Sequence, residues 1–181
     1  MKILAIAATN HKNSINKQLL EYTATMAQEH FKGEVEIEVL DLTDYEIPFY
    51  RQDREEADGV PEKAQALYSK IGFADTVFIS FAEHNGGYTA VYKNIFDWMS
   101  RINIKVYQDK PALFLSTSPG ASGAASVLKS AETSAPFWGA DLKGTFSVPS
   151  FYDNFNFDSG TLTNTELKNG LLDTLKNFKR A

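Results

Sequence analysis

The sequence has no cysteine and only three histidines, His11, His30 and His84, among its 181 residues. The absence of cysteine excludes disulfide bonds, thiolate zinc sites, iron–sulfur clusters and a cysteine nucleophile. The histidines are scattered along the chain, so we expect no metal site built by the protein.

Positive charge and long apolar runs are also scarce. The 18 Lys and Arg residues against 23 Asp and Glu give a net charge of −5, which argues against a basic nucleic-acid surface. A segment that spans a bilayer needs ~20 apolar residues, and none exists here. The apolar run at residues 3–8 is shorter than the ~7–15 residues of a signal peptide's hydrophobic region. We therefore expect a cytoplasmic protein with no nucleic-acid or membrane partner.

What the sequence does contain is an alternation of strand and helix patterns. Three apolar runs are short and continuous, as in strands buried on both faces of a parallel sheet: residues 3–8, 76–82 and 112–116. Two further strands are expected at sheet edges. In residues 35–39 valine and isoleucine alternate with glutamate, and residues 144–148 are followed by Pro149, which cannot donate to a strand ladder.

Five helical patterns follow the five strands, at residues 16–29, 61–72, 88–102, 122–135 and 165–178. This alternation predicts an α/β three-layer sandwich. With strands two and five at the edges, the sheet is five-stranded and parallel in the order 2-1-3-4-5, which is the flavodoxin-like arrangement. Residues 1–181 are expected to form one domain, because domains usually have ~100–200 residues.

In such a sheet the ligand site lies past the carboxyl ends of the central strands, so the loops after strands one, three and four are the candidates. The first loop, residues 9–16, is rich in hydroxyl and amide groups and opens a helix, whose N-terminus favours an anion. It contains neither P-loop nor dinucleotide-binding glycines, which favours a phosphate monoester. The alternative is that Ser14 or Asn13 is only an N-cap. The predicted phosphate-binding residues are Thr9, His11, Ser14, Ile15 and Asn16.

The second and third loops suit a flat ring with polar edges. The turn at residues 85–87 exposes backbone N–H groups, although an ordinary connection with a solvated His84 is an alternative. Residues 116–123 combine hydroxyl groups with a Pro-Gly turn. Together the three loops predict a flavin mononucleotide (FMN) site. Its further cofactor-binding residues are Ala82, Glu83, His84, Asn85, Gly86, Ser116, Thr117, Ser118 and Gly120. Replacing Ser14 or Asn16 with a bulky apolar residue is expected to weaken FMN binding without loss of the fold.

These motifs resemble those of a known family, the NADPH-dependent FMN reductases, which include quinone, chromate and azo reductases. The family's first loop, G-S-x-R-x-x-S-x-N, is similar to A-T-N-H-K-N-S-I-N at residues 8–16. Its P-E-Y-N-G and K-N-x-x-D-W motifs resemble A-E-H-N-G at residues 82–86 and K-N-I-F-D-W at residues 93–98. The turn at residues 116–120 and the Pro-Phe-Tyr stretch at residues 48–50 also match in position.

The resemblance implies an FMN-dependent NAD(P)H oxidoreductase that passes hydride through the flavin to quinones or similar small acceptors. NADPH or NADH would be the reductant, and no catalytic side chain is assigned. The acceptor and the choice of reductant stay open, as do two alternatives: a flavodoxin-like electron-transfer protein, and a non-catalytic binding module of the same fold. The sequence departs from the family motifs at Ala8, His11, Ala82 and His84, which replace glycine, arginine, proline and tyrosine.

The helical pattern at residues 88–102 carries two adjacent apolar stripes. They consist of Val91, Ile95, Trp98 and Ile102, and of Tyr88, Tyr92, Phe96 and Met99. One stripe is expected to cover the sheet and the other to form a homodimer interface, which the resemblance also implies; a tetramer stays open. Alternatively the aromatic loop at residues 151–157 covers the second stripe, or it walls the substrate pocket.

Overall fold

The computed structural model describes residues 1–32 and 34–178, and a five-stranded parallel sheet lies at its centre. The strands are β1 (Lys2–Ala8), β2 (Glu36–Asp41), β3 (Thr76–Phe81), β4 (Lys110–Thr117) and β5 (Ala140–Val148). They are ordered β2-β1-β3-β4-β5, and every neighbouring pair is parallel. The predicted strand order, both edge strands and the flavodoxin-like architecture are confirmed.

Seven helices accompany the sheet in the described ranges. They are α1 (Ile15–His30), α2 (Gln52–Asp58), α3 (Glu62–Phe73), α4 (Ala90–Ile102), α5 (Ala125–Ser134), α6 (Phe151–Asn154) and α7 (Thr165–Leu175). Helix α2 escaped prediction because it buries no residue and so has no apolar stripe. None of these helices is long and apolar enough to cross a membrane.

Short elements complete the described chain. Residues Glu83–His84 pair with Gly87–Tyr88 in one two-stranded hairpin, and Phe155–Asn156 pair with Thr161–Leu162 in another. A 3-10 turn, Leu42–Asp44, follows β2. These elements were not predicted, because two or three residues carry no periodicity.

Three predicted boundaries were wrong by three or four residues, and one of them is the end of α7, at Leu175 rather than 178. Strand β5 begins at Ala140 rather than 144, because Lys110 of β4 already pairs with Ala140 and the half-buried edge strand has no continuous apolar run. Helix α5 begins at Ala125 rather than 122. The residues before it, Gly123 and Ala124, have φ of 59° and 61° and are therefore not in the right-handed helical conformation.

The sheet separates two cores, because successive side chains of a strand point to opposite faces. Helices α3, α4 and α5 cover one face, where β1 and β3 contribute Leu4, Ile6, Val77 and Ile79. Helices α1 and α7 cover the other, where the same strands contribute Ile3, Ala5 and Phe78. Strand β3 is buried at all six positions, as predicted for a central strand.

Both apolar stripes of α4 are largely covered by the chain itself, so the expectation that one stays free for a partner was wrong. Trp98, which is 1% exposed, lies beneath residues 47–50 and meets the Tyr50 ring edge-on at 5.0 Å. On the other stripe Phe96 packs against Tyr107 and Trp138. The alternative cover was wrong too, because Phe151 and Phe155 of the aromatic loop pack into the core on the opposite face.

Two buried phenols meet in the core beneath α4. The hydroxyls of Tyr92 and Tyr107 are 2.6 Å apart, and one of them donates a hydrogen bond to the other. Burial raises the pKa of both phenols, which keeps both rings neutral. Throughout the described residues, no buried side-chain nitrogen or oxygen lacks a hydrogen-bond partner.

The turn before α5 gives a test of the fold. Gly123 has φ of 59°, and a Cβ there would overlap the Ser147 hydroxyl and lie 3.1 Å from backbone atoms of Val148 and Pro149. Gly160 has a similar φ of 65°, but nothing lies within 4 Å of its Cβ position. We expect Gly160→Ala to lower the free energy of unfolding by about 1–2 kcal/mol. Gly123→Ala should lower it by at least about 3 kcal/mol, since steric overlap is added to backbone strain.

Urea unfolding of both variants and the parent protein measures the difference, provided that the slope with denaturant stays constant. Equal losses in the two variants would contradict the steric account of the Gly123 turn.

Candidate functional site

The loops after β1, β3 and β4 meet at one end of the sheet, because these three strands are neighbours and parallel. A cleft of about 200 Å³ lies between them. Most of the predicted site residues line it: Thr9, His11, Ser14, Ile15, Asn16, Ala82, Glu83, His84, Thr117 and Ser118. The structure thus brings together residues that are more than 100 positions apart in the sequence.

Four predicted residues shape the loops but do not line this cleft. Asn85 and Gly86, with φ of 52° and 80°, form the exposed tip of the hairpin, where a two-residue turn needs positive φ at both positions. Ser116 is fully buried, and its hydroxyl donates to the Gly123 carbonyl at 2.7 Å. The carbonyl of Gly120 accepts a hydrogen bond from the backbone N–H of Ser150 at 2.9 Å.

Three residues that line the cleft were not predicted as cofactor ligands: Asn13, Pro119 and Tyr152. Tyr152 belongs to α6 and is 59% exposed at the cleft. The cluster of aromatic residues at 151–157 was the signal for it, and the possibility that this loop walls a pocket was the better interpretation. Its position relative to the three loops depends on tertiary contacts and was not readable from the sequence.

The N-terminus of α1 forms one end of the cleft. Ser14 is the N-cap, and its hydroxyl accepts the N–H of Lys17 at 3.3 Å. The N–H groups of Ile15 and Asn16 lie in the same first turn, where a helix offers no acceptors of its own. A capped helix N-terminus at the cleft wall is suited to bind an anion, so the N-cap and the phosphate interpretations of Ser14 are compatible.

Asn16 acts as a clamp beneath the cleft. It is 3% exposed, and its amide oxygen accepts hydrogen bonds from the Ser80 hydroxyl at 2.9 Å and the Thr117 N–H at 3.0 Å. Its amide nitrogen donates to the Thr117 carbonyl at 3.0 Å. One side chain therefore fixes the start of α1 against β3 and the end of β4. The expectation that a bulky apolar residue at Asn16 would leave the fold intact is at odds with this burial.

Two further hydrogen bonds join the loops. A carboxylate oxygen of Glu83 accepts the N–H of Val127 at 2.8 Å. It caps α5, whose N-cap residue, Ala124, has no side chain for that purpose. The hydroxyl of Thr89 donates to the Ala8 carbonyl at 2.9 Å and also caps α4. The second loop is thereby fixed to both of the others.

The cleft has little fixed charge. Glu83 is the one carboxylate among the described lining residues, and no Lys or Arg lines the cleft there. Lys17 follows the first loop, but its hydrogen bond to Asp41 at 2.7 Å raises its pKa and commits its charge to that carboxylate. Among the described lining residues, the positive potential at the phosphate end therefore comes from the N-terminus of α1, and His11 adds a hydrogen-bond donor.

The K-N-I-F-D-W motif fixes a neighbouring segment, residues 47–50, which we name the strap. The Asn94 amide accepts the N–H of Tyr50 at 2.8 Å and donates to the Pro48 carbonyl at 3.1 Å. The Trp98 indole donates to the same carbonyl at 2.8 Å. The motif therefore holds the strap in place. This role explains why the K-N-I-F-D-W motif and the Pro-Phe-Tyr stretch occur together in the sequence.

These features fit FMN. The phosphate end offers first-turn N–H groups and hydroxyls with no opposing carboxylate, and Ala82, His84 and Ser118 line the rest of the cleft. Glu83, the one acidic group, is already bound to the N-terminus of α5. The buried polar atoms beneath the cleft are satisfied within the described chain, so the loops are held in place without a ligand.

Comparison with known proteins leads to the same group. The sequence profile of the family described as NADPH-dependent FMN reductase matches residues 1–152. A 2-hydroxy-1,4-benzoquinone reductase from Burkholderia sp. is 32% identical over 126 residues, which are 69% of this chain and 64% of that protein. An NADPH:quinone oxidoreductase from Arabidopsis thaliana is 30% identical over 123 residues, 68% of this chain and 61% of that protein. The chain thus spans less than two thirds of these enzymes.

Among solved structures, the NAD(P)H:(acceptor) oxidoreductase FerB from Paracoccus denitrificans has a TM-score of 0.72 and 25% sequence identity. The superposition covers 97% of this chain and 93% of FerB. The motif resemblance, the sheet order and the family profile agree over most of the chain, including all three loops of the cleft. The chain therefore belongs to the NADPH-dependent FMN reductase family of oxidoreductases.

Proposed function

We propose that this protein binds FMN in the cleft and uses NADH or NADPH to reduce quinones or similar small acceptors. The observation that carries this proposal is the convergence of three loops on one donor-rich cleft in a chain of this family. When bound, FMN supplies the hydride-transfer chemistry, so no protein nucleophile or general base is required. The residues of the chain bind and orient the cofactor and set the electrostatics around it.

The first loop is assigned to the phosphate group. The N–H groups of Ile15 and Asn16 lie at the positive end of α1, and Thr9, His11 and Ser14 add donors around them. His11 replaces the arginine of the family motif and lacks its permanent charge. The helix N-terminus must therefore supply a larger share of the attraction than in proteins with the arginine.

The second and third loops are assigned to the ring. Ala82, His84 and Ser118 all line the cleft, and they come from the second and third loops. The Thr117 hydroxyl already donates to the Val148 carbonyl at 2.6 Å, and the Ser116 hydroxyl is equally engaged. We therefore assign Ser116 and Thr117 a positioning role, in which they hold the backbone of the third loop.

Glu83 has an electrostatic role in this assignment. A carboxylate beside a ring that gains negative charge on reduction would oppose that reduction. The hydrogen bond from Val127 and the positive end of α5 offset the charge of Glu83. The hydrogen bond also prevents the carboxylate from rotating freely into the cleft. The same bond holds the loop at residues 82–86 against the N-terminus of α5.

We further propose that residues 1–181 form one FMN-binding domain that acts in the cytoplasm as a homodimer. The dimer is supported by large apolar side chains exposed at one end of α4 and α5, with Phe137 63% and Ile104 53% exposed. The N–H of Tyr107 donates to the Trp138 carbonyl at 3.0 Å and brings these two segments together. Such a patch is a typical site of protein association.

The first prediction concerns the visible absorption spectrum of the FMN-loaded protein. Purified protein loaded with FMN and desalted should keep the visible flavin absorption, and anaerobic NADH or NADPH should bleach it. A quinone added afterwards should restore the absorption. Retained flavin that NAD(P)H does not bleach would favour the electron-carrier alternative, and failure to retain added FMN would favour the non-catalytic binding module.

The phosphate assignment is tested with Ser14→Asp. Asp is as good an N-cap as Ser and its charge is favoured at the N-terminus of α1, so the fold should be retained although Ser14 is only 6% exposed. The added carboxylate should repel the phosphate and weaken FMN binding at least about tenfold. Riboflavin, which lacks the phosphate, is the matched ligand control, and its affinity should not change. Equal weakening of both ligands in equilibrium titrations would refute the phosphate assignment.

The dimer proposal is tested by sedimentation velocity. Phe137→Asp should shift the protein from dimer to monomer, because a charge would be buried in the interface. Phe49→Asp is the matched control, since Phe49 is 69% exposed but follows β2, at the opposite end of the sheet from this patch. A monomeric parent protein, or equal dissociation of both variants, would contradict the proposed interface.

A further inference from the structure

The sequence contains two Asn-Gly pairs, Asn85-Gly86 and Asn169-Gly170. This dipeptide is prone to spontaneous deamidation, because glycine has no side chain to shield its backbone nitrogen from the neighbouring amide. Both asparagine side chains are exposed to solvent. Neither the dipeptide nor its exposure distinguishes the two pairs, so a difference in their reactivity has to come from the fold.

The pair Asn85-Gly86 forms the tip of a short hairpin whose ladder consists of two residue pairs. In the part of the chain that the structure describes, neither the Asn85 amide nor the Gly86 N–H makes a hydrogen bond. A Cβ on Gly86 would have no atom within 4 Å. Asn85 has φ of 52°, a left-handed conformation that is strained for an L-residue. The peptide between the two residues is therefore free to rotate at little cost.

The pair Asn169-Gly170 lies inside α7 and is held in place. The Gly170 carbonyl accepts a hydrogen bond from the Thr174 hydroxyl at 2.8 Å. A Cβ on Gly170 would lie 2.8 Å from the Phe146 ring, so α7 packs closely on β5 at this glycine. Rotation of this peptide would break the hydrogen bonds of the helix and push its backbone against Phe146.

Deamidation requires such a rotation. The backbone nitrogen of Gly86 forms a bond to Cγ of Asn85, and ammonia leaves, which closes a five-membered succinimide. The N–H proton of Gly86 passes to solvent, and the departing amide takes a proton from water. Water then adds to one of the two succinimide carbonyl carbons and leaves either aspartate or isoaspartate at position 85. The net reaction is hydrolysis, which consumes one water and needs no oxidant or enzyme.

We propose that Asn85 is a spontaneous deamidation site, which the fold selects over Asn169, and that its isoaspartyl product displaces His84 from the cleft. Isoaspartate lengthens the main chain by one carbon between His84 and Gly87, which form the closing pair of the hairpin. A two-residue turn has a defined geometry that does not accommodate this carbon. His84 lines the cleft, so the reaction changes the cleft wall. The deamidation is independent of the proposed function, and only its effect on flavin binding rests on it.

Selection by the fold is tested by incubating the native protein in warm, mildly alkaline buffer and mapping its peptides by mass spectrometry. Asn85 should react at least about tenfold faster than Asn169, because reaction at Asn169 first breaks helical hydrogen bonds. Cleavage by Asp-N protease, which does not recognise isoaspartate, separates the two products. Both should appear at position 85. Equal native rates would overturn the proposal, and aspartate alone would refute the succinimide route.

The same incubation in concentrated urea is the control for local sequence. Without the fold, the two pairs should react at similar rates, and a difference that persists in urea would overturn the structural account. Asn85→Gln should abolish the acidic shift of the aged protein in ion exchange, because its longer side chain forms the cyclic intermediate slowly. Asn169→Gln is the matched variant and should leave the shift in place. The reverse result would contradict the assignment.

The effect on the cleft is measured with the deamidated fraction, whose share of isoaspartate is known from the peptide map. The affinities of the isoaspartyl form for FMN and riboflavin should both fall about two- to tenfold, the equivalent of one lost polar contact. Asn85→Asp adds the same charge without the extra carbon and should cause a smaller loss. An equal loss would assign the effect to charge and refute the displacement of His84.

Two measurements separate this proposal from the proposed function. The imidazole NMR signals of His84, assigned with His84→Gln, should shift in the aged protein without any flavin, and unchanged signals would refute the displacement. A protein that deamidates at Asn85 but binds no flavin would keep the modification site and refute the FMN proposal. A flavin-binding protein in which Asn85 reacts no faster than Asn169 would keep the FMN site and overturn the selection.

Discussion

The arrangement of the site depends on one buried amide, that of Asn16. Three parallel strands end side by side, and each is followed by a loop whose direction the sheet alone does not fix. Asn16 joins the start of α1 to Ser80 on β3 and to both backbone groups of Thr117 on β4. Since a buried amide that loses its partners costs about 1–3 kcal/mol per group, this geometry is strongly preferred over alternatives. The bonds from Glu83 and Thr89 then fix the second loop relative to the other two.

The cleft binds an anion without a cationic Lys or Arg side chain in its described lining. At the cleft, the positive ends of α1 and α5 provide attraction and offset Glu83 without a lysine or arginine in the lining.

Much of the resemblance to the family comes from residues that hold the scaffold. Asn94 and Trp98, in the most specific motif, bind the strap, and Lys93 forms an ion pair with Asp97 at 2.6 Å on the helix surface. The strap includes Phe49, the middle residue of the Pro-Phe-Tyr stretch, and its carbonyl accepts a hydrogen bond from Arg54. The motif identified the family correctly, but its role in the structure is to position a neighbouring segment rather than to line the cleft.

The sequence by itself determined the sheet order, the edge strands and the three loops of the cleft, because buried strands and amphipathic helices follow the local periodicity of apolar residues. Its motifs also identified the family. Only the tertiary structure decided which polar side chains already form hydrogen bonds within the protein. Asn16, Ser116 and Thr117 look like ligands in the sequence, yet their partners lie up to 101 residues away and bind them in the interior. The cover of α4 was missed for the same reason: the strap and Trp138 reach it through long-range packing, which no local pattern encodes.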